Sequence, residues 1–473
     1  MTNHPAYPDR NNIQGVVFSG FGKFHSCHMI MRFPRQDCNV NGFVKDILPF
    51  VQTGASWGDN RPRKMLNIGF TFSGLQSTRV PMIRWDTFPI EFRVGPTSYY
   101  AQQNLFDLGE SAPGNWAFGN DSEEKKVDAI VHCHGQDDQA LDEIIEIVSD
   151  AATRHGVVEI LPLDDPRGRY VKSPDLDVGF IHFGYRDGMN QPSLDWPDPW
   201  PEEGQYTHPD ALNNFLVGYP KSAIMPGPSF YNDPNDNTGA FARDGCYNAF
   251  RVLYQDVEAF DAFLDRYAPE ISQRLGEPAD YAREWIAAKL NGRWRNGSPL
   301  VVSPDEPDPE TAMDTDFTFS DDPIGMRCPF SAHTRVTNPR DQAIFRTGQP
   351  LPRILRRGMP FGRTAAPPDY SGERGLVGMF LCGSLGEQFE KMYNWINANN
   401  FSPVFTQSEQ DPLSSTRNVP LATRTFTIPM EDGEPMVLDL AEYKFVITRG
   451  TAYCFIPSIS ALRTIADANS SLY

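Results

Sequence analysis

The stretch VDAIVHCHGQDDQALDEIIEIVSDAATRHGVVEILPL, residues 127–163, predicts a strand, a helix and a second strand in succession. Residues 127–135 alternate in the manner of a strand. The apolar residues that follow have helical spacing, with Asp137 or Asp138 as the N-cap and Gly156 at the end of the helix. The stretch can therefore be the second half of a βαββαβ unit, provided that two further strands precede it.

Two earlier segments, SCHMIMRF (26–33) and LNIGFTFSG (66–74), do alternate as strands, so the first half of the chain follows the βαββαβ order. The second half opens with the strand CYNAFRVLYQ (246–255). Its other predicted elements are the helices DVEAFDAFLDRYA (256–268) and PADYAREWIAAKL (278–290), the strand GLVGMFLCG (375–383), the helix LGEQFEKMYNWINANN (385–400), and the strands EYKFVITRG and TAYCFIPSI, which turn at Arg449-Gly450. The sequence shows no internal repeat, which does not exclude two halves of like fold.

Two trios of histidine and cysteine in the first half resemble a metal cluster: His25, Cys27 and His28, and His132, Cys133 and His134. Each trio lies in a strand of period two, so that neighbouring side chains point to opposite faces. Neither trio has the spacing of a CxxC or HExxH motif. Structural histidines and cysteines are therefore favoured over a zinc site.

The segment QPSLDWPDPWPEEGQ (191–205) is a proline-rich bridge between the two halves. Such a composition predicts an irregular, semi-rigid connection. A chain of 473 residues is also too long for one small core. We expect a domain boundary here, with one domain over residues 1–195 and a second over residues 196–473.

The segment HFGYRDGMNQPS (182–193) places the carboxylate of Asp187 between Gly184 and Gly188. Glycines leave the carboxylate uncrowded and allow the backbone to turn tightly. A carboxylate on such a turn can be aimed into a cavity as an acid or a base. The alternative is an Asx-type turn, in which Asp187 bonds its own backbone.

A second segment, CPFSAHTRVTNPRD (328–341), contains His333 with Arg335 close behind it, and the basic segment RILRRGMPFG (353–362) follows. A histidine among fixed cations suits an anionic planar cofactor, because imidazole can bind its metal while guanidinium groups such as that of Arg335 pair with its carboxylates. The alternative for His333 is a hydrogen-bonded core histidine. The combination with the Asp187 segment favours ligation.

Taken together, GYRDG followed by QP, then CPFSAHTRVTNPR and RILRRGMPFG, resemble the dye-decolorising peroxidase family of haem proteins. Further matches run along most of the chain, namely NIQG (12–15), NNFLVGYP (213–220), AAKLNGRW (287–294) and FVITRGTAYCFIPS (445–458). The resemblance implies an α+β fold of two ferredoxin-like domains with antiparallel sheets. It also implies one b-type haem, with its iron, in the C-terminal half.

Three residues match the family's reactive positions. His333 matches the proximal iron ligand, Asp187 the distal acid–base residue, and Arg356 the distal arginine. Arg353 and Arg357 compete with Arg356 for this last position.

Other residues match positions around the cofactor. His182 and Asn338 match residues that approach the haem edge or its propionates, and Phe380 matches an aromatic residue of the distal wall. Asp411 is the first candidate to accept the ring N–H of His333, which would raise the basicity of the imidazole. Glu409 and Glu387 are the alternatives.

The sequence departs from the family pattern at two of the positions that surround the cofactor. Gly378 stands where the family usually has a larger residue, which implies a roomier distal pocket. Asn190 stands where members often carry serine.

The activity implied by the resemblance is that of a haem peroxidase, which reduces hydrogen peroxide and oxidises dyes, phenolics and other aromatic substrates through ferryl intermediates. Asp187 would move the peroxide proton, and Arg356 would stabilise the departing hydroxide. One alternative is a haem-binding protein for haem or iron handling or redox sensing with little turnover. Another is a haem-free α+β interaction protein, which a Soret band would exclude.

Composition excludes several other classes of protein. A net charge of -19 argues against binding to nucleic acids or anionic membranes. No run approaches the roughly 20 apolar residues of a membrane span. The first residues lack the pattern of a secretory signal, and the seven cysteines have no framework spacing. We therefore expect a cytoplasmic protein with free thiols, either a monomer or a small homo-oligomer.

Overall fold

The structure is a computed structural model that describes residues 7–36, 38–58, 60–164, 167–198, 208–219, 236–345, 350–399, 402, 409–415 and 423–468. Its strands are β1 (His25–Arg32), β2 (Lys64–Phe70), β3 (Ala129–Gly135), β4 (Val158–Ile160), β5 (Tyr170–Val171), β6 (Cys246–Gln255), β7 (Leu355–Arg356), β8 (Met359–Phe361), β9 (Gly375–Cys382), β10 (Thr425–Ile428), β11 (Met436–Asp439) and β12 (Val446–Ile456). Its α-helices are α1 (Val40–Ile47), α2 (Phe72–Ser77), α3 (Ile90–Val94), α4 (Tyr99–Leu105), α5 (Asp138–His155), α6 (Asn237–Ala242), α7 (Val257–Leu275), α8 (Ala279–Asn291), α9 (His333–Thr337), α10 (Lys391–Asn397) and α11 (Ile459–Asp467).

In the described residues, one sheet of ten strands joins both halves of the chain. Eight of the strands have the order β4-β1-β3-β2-β12-β6-β9-β7, while β5 pairs with β1 and β8 pairs with β9 at its margins. Strands β1 to β4 have the antiparallel order 4-1-3-2, which is that of a ferredoxin-like unit. The strands of the second half repeat this order, with β12 as the fourth strand, β6 the first, β9 the third and β7 the second. The predicted α+β fold of two ferredoxin-like units with antiparallel pairing is therefore confirmed.

The two units meet edge to edge, where β12 pairs with β2 at Phe455 and Phe70. Successive residues of the strands point to opposite faces of the sheet, and the apolar side chains of the two faces pack in separate clusters. In β1, Met29 packs into one cluster and its neighbour Ile30 into the other. The division into domains at residue 195 stays a prediction.

The helix of the opening stretch begins and ends as the sequence predicts. The carboxylate of Asp137 accepts a hydrogen bond from the backbone N–H of Ala140. Gly156 ends the helix with a φ of 69°, a left-handed conformation that suits glycine. Local capping chemistry therefore sets both boundaries of α5.

The predicted turn at Arg449-Gly450 is wrong, because β12 runs through both residues as one strand. The pairing with β6 shifts register between Thr448 and Gly450, which is the signature of a β-bulge. An ideal Cβ on Gly450 would lie 2.6 Å from Cζ of Phe118. Glycine is thus needed here for the close approach of an aromatic ring, and the sequence pattern alone resembles a turn.

The predicted helix over 385–400 is interrupted, because residues Leu385–Glu390 form a π-helical turn before α10 begins. Phe389 of this turn and Tyr393 of α10 are both buried against the sheet.

The histidine and cysteine trios of β1 and β3 pack within the sheet. Nδ1 of His28 lies 2.9 Å from Nδ1 of His132 on the paired strand, and burial lowers the pKa of His132 to about 3. No group of three or more His, Cys, Asp or Glu side chains in the described part of the chain could hold a metal ion. The seven cysteines are thiols that form no disulfide, as predicted. Among the described residues, no helix combines the length and apolar character needed to cross a membrane.

Candidate active site

A cavity of about 610 Å³ lies where the two halves of the chain meet, and residues of both halves line it. Asp187, Phe183 and Tyr185 come from the first half, while His333 and Arg356 come from the second. The two segments that the sequence singles out therefore face one shared space, although 146 residues separate Asp187 from His333 along the chain (333 minus 187).

A tight turn presents Asp187 to this cavity. Gly184 and Gly188 have φ values of 82° and 80°, a left-handed conformation that glycine adopts without steric cost. The backbone N–H of Asp187 donates to the carbonyl of Gly179 over 2.7 Å, which closes the turn. The carboxylate is 44% exposed and thus reachable from the cavity. It is aimed into the cavity, as the sequence predicts.

Arg356 forms an ion pair with this carboxylate. Its Nη1 donates to Oδ1 of Asp187 over 2.9 Å. Burial pushes the pKa of Asp187 upward, but the charge of Arg356 and the backbone N–H of Gly188 outweigh it, so the pKa lies below the usual range. Asp187 is therefore held as a carboxylate, and its side chain pairs with Arg356 across the cavity wall.

The neighbouring arginines point to other partners. Arg353 donates to Oδ1 of Asn190 over 3.1 Å, and Arg357 donates to the carbonyl oxygens of Val16 and Val17. Both lie along the cavity wall, but neither forms a hydrogen bond or an ion pair with Asp187 among the described contacts. The geometry thus favours Arg356 as the cation of the pair.

His333 is the first residue of α9, and its imidazole is held by Asp411. Nδ1 of His333 lies 2.6 Å from Oδ2 of Asp411, a carboxylate that is completely buried. Burial lowers the pKa of His333, but the charge and hydrogen bond of Asp411 more than offset it, so the pKa is raised. Because Asp411 engages Nδ1, Nε2 is the ring nitrogen left to bind a metal from the cavity.

Hydrogen-bond donors surround both oxygens of the Asp411 carboxylate. Its Oδ1 accepts from the backbone N–H of Leu413 and of Ser414, and its Oδ2 also accepts from the Ser414 hydroxyl. Burial raises the pKa of Asp411, yet His333 and these donors together lower it below the usual range. The site thus holds an ionised carboxylate behind the imidazole.

The two alternative partners of His333 lie elsewhere. Glu409 accepts hydrogen bonds from the hydroxyls of Ser331 and Thr427, and Glu387 is 49% exposed with Lys391 as its ion-pair partner. Asp411 is therefore the residue that the fold places behind His333.

Two residues expected at the cofactor lie away from the cavity. Arg335 is completely buried, and its guanidinium donates to Asp322, Gln342 and the carbonyl of Cys328. It thus stabilises the loop before α9 and is not placed to bind a cofactor carboxylate. Nε2 of His182 lies 2.8 Å from the carbonyl oxygen of Phe361, which turns this ring toward β8.

Asn338 and Phe380 do line the cavity, as expected. Asn338 ends α9, five residues after His333, and its backbone N–H donates to the carbonyl of Thr334. Phe380 lies on β9 directly opposite Arg356 of β7.

Two further residues support the site and were not singled out from the sequence pattern. Oε1 of Gln191 accepts from the backbone N–H of Arg356 over 3.0 Å, which ties the Asp187 segment to β7. The hydroxyl of Ser414 donates to Asp411 over 2.6 Å. Gln191 is the glutamine of the QP that follows GYRDG, and this position in the motif could have identified it as a site residue.

The residues of this cavity fit a haem group. The walls are largely apolar, formed by residues such as Ile354, Leu376 and Met392, which suits a flat hydrophobic macrocycle. One imidazole with a buried carboxylate behind it is the donor arrangement of a histidine-ligated metal. Nε2 of His333 is therefore the imidazole atom available to a metal in this cavity.

Asp411→Asn should weaken haem binding by about 10- to 100-fold, the usual effect of losing a partner behind a metal-bound histidine. The amide NH2 would face a hydrogen-bond donor at one of the two positions where a carboxylate oxygen of Asp411 now accepts. The measurement is haem affinity by titration of the haem-free protein. Glu387→Gln is the matched control and should leave the affinity unchanged, and equal affinities in both variants would contradict the role of Asp411.

The comparisons with known proteins agree on one group. The chain is 26% identical over 425 residues to dye-decolorizing peroxidase msp1 of Mycetinis scorodonius, covering 86% of this chain and 77% of that protein. It is also 26% identical to a dye-decolorizing peroxidase of Mycena epipterygia, covering 97% of this chain and 87% of that one. Comparison with sequence profiles of known families finds no match.

Solved structures show the same fold along nearly the whole chain. An ancestral D-type dye-decolorizing peroxidase superposes with a TM-score of 0.75 at 25% identity, covering 97% of this chain and 99% of that one. A variant of the enzyme from Pleurotus ostreatus has a TM-score of 0.77 at 22% identity, covering 98% of this chain and all of that one, and supports the fold.

Proposed function

Because the chain belongs to the dye-decolorising peroxidase family, we propose that it is a haem-dependent peroxidase that reduces hydrogen peroxide and oxidises dyes and phenolic compounds. A single observation carries this proposal. One cavity is lined by His333, which a buried Asp411 supports and which suits a metal, and by the Asp187–Arg356 pair, which suits proton transfer.

Haem b, when bound, supplies an iron that can take two oxidising equivalents from peroxide and pass them on to a substrate. Nε2 of His333 would hold it, while Asp411 keeps Nδ1 hydrogen-bonded and so fixes the orientation and raises the basicity of the imidazole. Asn338 and Phe380 contribute to the walls around it.

Asp187 is the base of the proposed mechanism. Its carboxylate takes the proton from one peroxide oxygen and returns it to the other, so that the bond between them can break with water as the leaving group. The turn and the ion pair hold the carboxylate in place, which preserves the geometry that proton transfer requires.

Arg356 supplies fixed positive charge beside this proton transfer. The guanidinium stabilises negative charge that develops on the departing oxygen, and it keeps Asp187 ionised between turnovers. The backbone of Arg356 is itself held by Gln191 and by pairing with β9, so little reorganisation is needed.

A protein for haem handling or redox sensing would need the His333–Asp411 pair alone. The Asp187–Arg356 ion pair on the same cavity favours the peroxidase. In one solved structure with this fold, the peroxidase is in complex with 2,6-dimethoxyphenol, and this supports phenols as the class of reducing substrate. The intracellular location and the oligomeric state stay predictions.

Arg356→Leu should slow the reaction with peroxide by about 10²- to 10³-fold while haem content stays normal, because the lost charge acts on the transition state. The rate is measured by stopped-flow absorbance, and haem content by the ratio of Soret to protein absorbance. Arg353→Leu serves as the comparison, since Arg353 shares the cavity wall but binds Asn190. A larger loss in Arg353→Leu would move the role to that residue.

A further inference from the structure

Gly378 and Phe380 lie two residues apart on β9, so their side positions share one face of the strand and both line the cavity. An ideal Cβ on Gly378 would come within 2.7 Å of Cζ of Phe380, and closer still to Cε2. The edge of the Phe380 ring therefore occupies the space that a side chain at position 378 would need. Gly378 has no positive φ, so its backbone conformation does not require glycine.

Two buried aromatic rings block one side of the Phe380 ring, and the cavity lies open on another. The rings of Phe389 and Tyr393 pack against it, with centroids 5.4 Å and 6.1 Å away, and both residues are buried. Arg356 is the cross-strand partner on β7, so its side chain lies beside Phe380 on the same face. A ring displaced from Gly378 and blocked by these two rings can move into the cavity, next to Arg356.

We propose that Gly378 determines the size of the cavity beside Arg356 and Asp187. Because position 378 has no side chain, the Phe380 ring lies against β9 there, and the remaining space is wide enough for a single-ring aromatic ligand. The proposed ligand is an aromatic substrate that enters the cavity itself. The alternative is a cavity that admits only peroxide. The inference rests on the proposed function for the chemistry performed there, whereas the packing of Phe380 on Gly378 stands independently of it.

Two probes of different size test this proposal on the haem-loaded protein. Gly378→Leu should weaken binding of 4-phenylimidazole by at least about tenfold, since an excess methylene in a tight pocket costs at least that factor. Binding of cyanide should be nearly unchanged, because a small anion still fits. Both dissociation constants are read from the shift of the visible absorption spectrum, with Gly378→Ala as the milder variant.

The double variant Gly378→Leu/Phe380→Ala separates this role from general damage to the fold. Removing the ring should restore most of the affinity for 4-phenylimidazole, because the narrowing acts through Phe380. Gly114→Ala is the control, since a Cβ at this glycine meets nothing within 4 Å. Equal weakening of both probes, no weakening of either, or no recovery in the double variant would overturn the proposal.

The crystal structure of haem-free Gly378→Leu decides the same point without the cofactor. The Phe380 ring should lie in the cavity beside Arg356, and a ring that stays in its present place would overturn the inference. A parent protein that takes up no haem contradicts the proposed function instead, and this crystal structure then tests the packing alone.

Discussion

Replacing His333 with alanine should abolish stable haem incorporation while the protein stays folded. Loss of a partner behind a metal-bound histidine costs about 10- to 100-fold in affinity, and loss of the ligand itself should exceed that. The fold should survive because Leu413 and Ser414 still donate to Asp411, which limits the cost of the missing imidazole to about 1–3 kcal/mol.

The measurement for His333→Ala is haem content and the Soret band of protein purified with excess haem, beside the thermal midpoint of the haem-free form. His25→Ala is the matched control, since His25 is half-exposed and contacts Asp138 outside the cavity. Normal haem loading and an unchanged spectrum in His333→Ala would remove His333 as the ligand.

Replacing Asp187 with asparagine should slow the reaction with peroxide by about 10²- to 10⁴-fold, the usual contribution of a positioned general base. The amide keeps the size of the side chain but cannot accept the proton. Haem content should stay normal, because Asp187 is paired with Arg356 and not with His333. A variant that reacts as fast as the parent over the whole pH range would exclude Asp187 as the essential base.

The pH profile of this reaction follows from the direction of the pKa shift. An ordinary Asp titrates near about 3.9 and an imidazole near about 6.5. Because the pKa of Asp187 lies below its usual range, the base form persists as the pH falls from neutral into acid. The decline of the parent rate in acid should therefore have its midpoint below about pH 3.9, the ordinary value for Asp, whereas a distal histidine would be half protonated near about pH 6.5. A decline centred near neutral pH would contradict this assignment.

Much of the fold was determined by local sequence. The apolar spacing of 137–155, the Asp137 cap and Gly156 placed α5 correctly, because periodicity and capping act within a few residues. The glycines at 184 and 188 likewise determined the turn that presents Asp187, since few other residues adopt a positive φ without cost. Local sequence did not predict the bulge at Gly450, because its cause is the ring of Phe118, which is far away in the sequence.

The candidate site likewise depends partly on local sequence and partly on tertiary structure. The sequence by itself proposed His333 and Asp187 as site residues, because their motifs are distinctive, and it left Arg353, Arg356 and Arg357 as candidates for the cation. Only the tertiary structure chose Arg356, through a contact between residues 169 positions apart, since pairing of β7 with β9 decides which arginine faces the turn.

Tertiary structure also decided which residue is the partner of His333 and where the side chain of Arg335 lies. The fold brings Asp411 to His333 across 78 positions and leaves Glu409 with hydroxyl donors. It also buries Arg335 against Asp322, although the local sequence shows only a cation beside a ligand. Composition and spacing determine which groups are available, but the direction of each side chain depends on the strands and loops that pack around it.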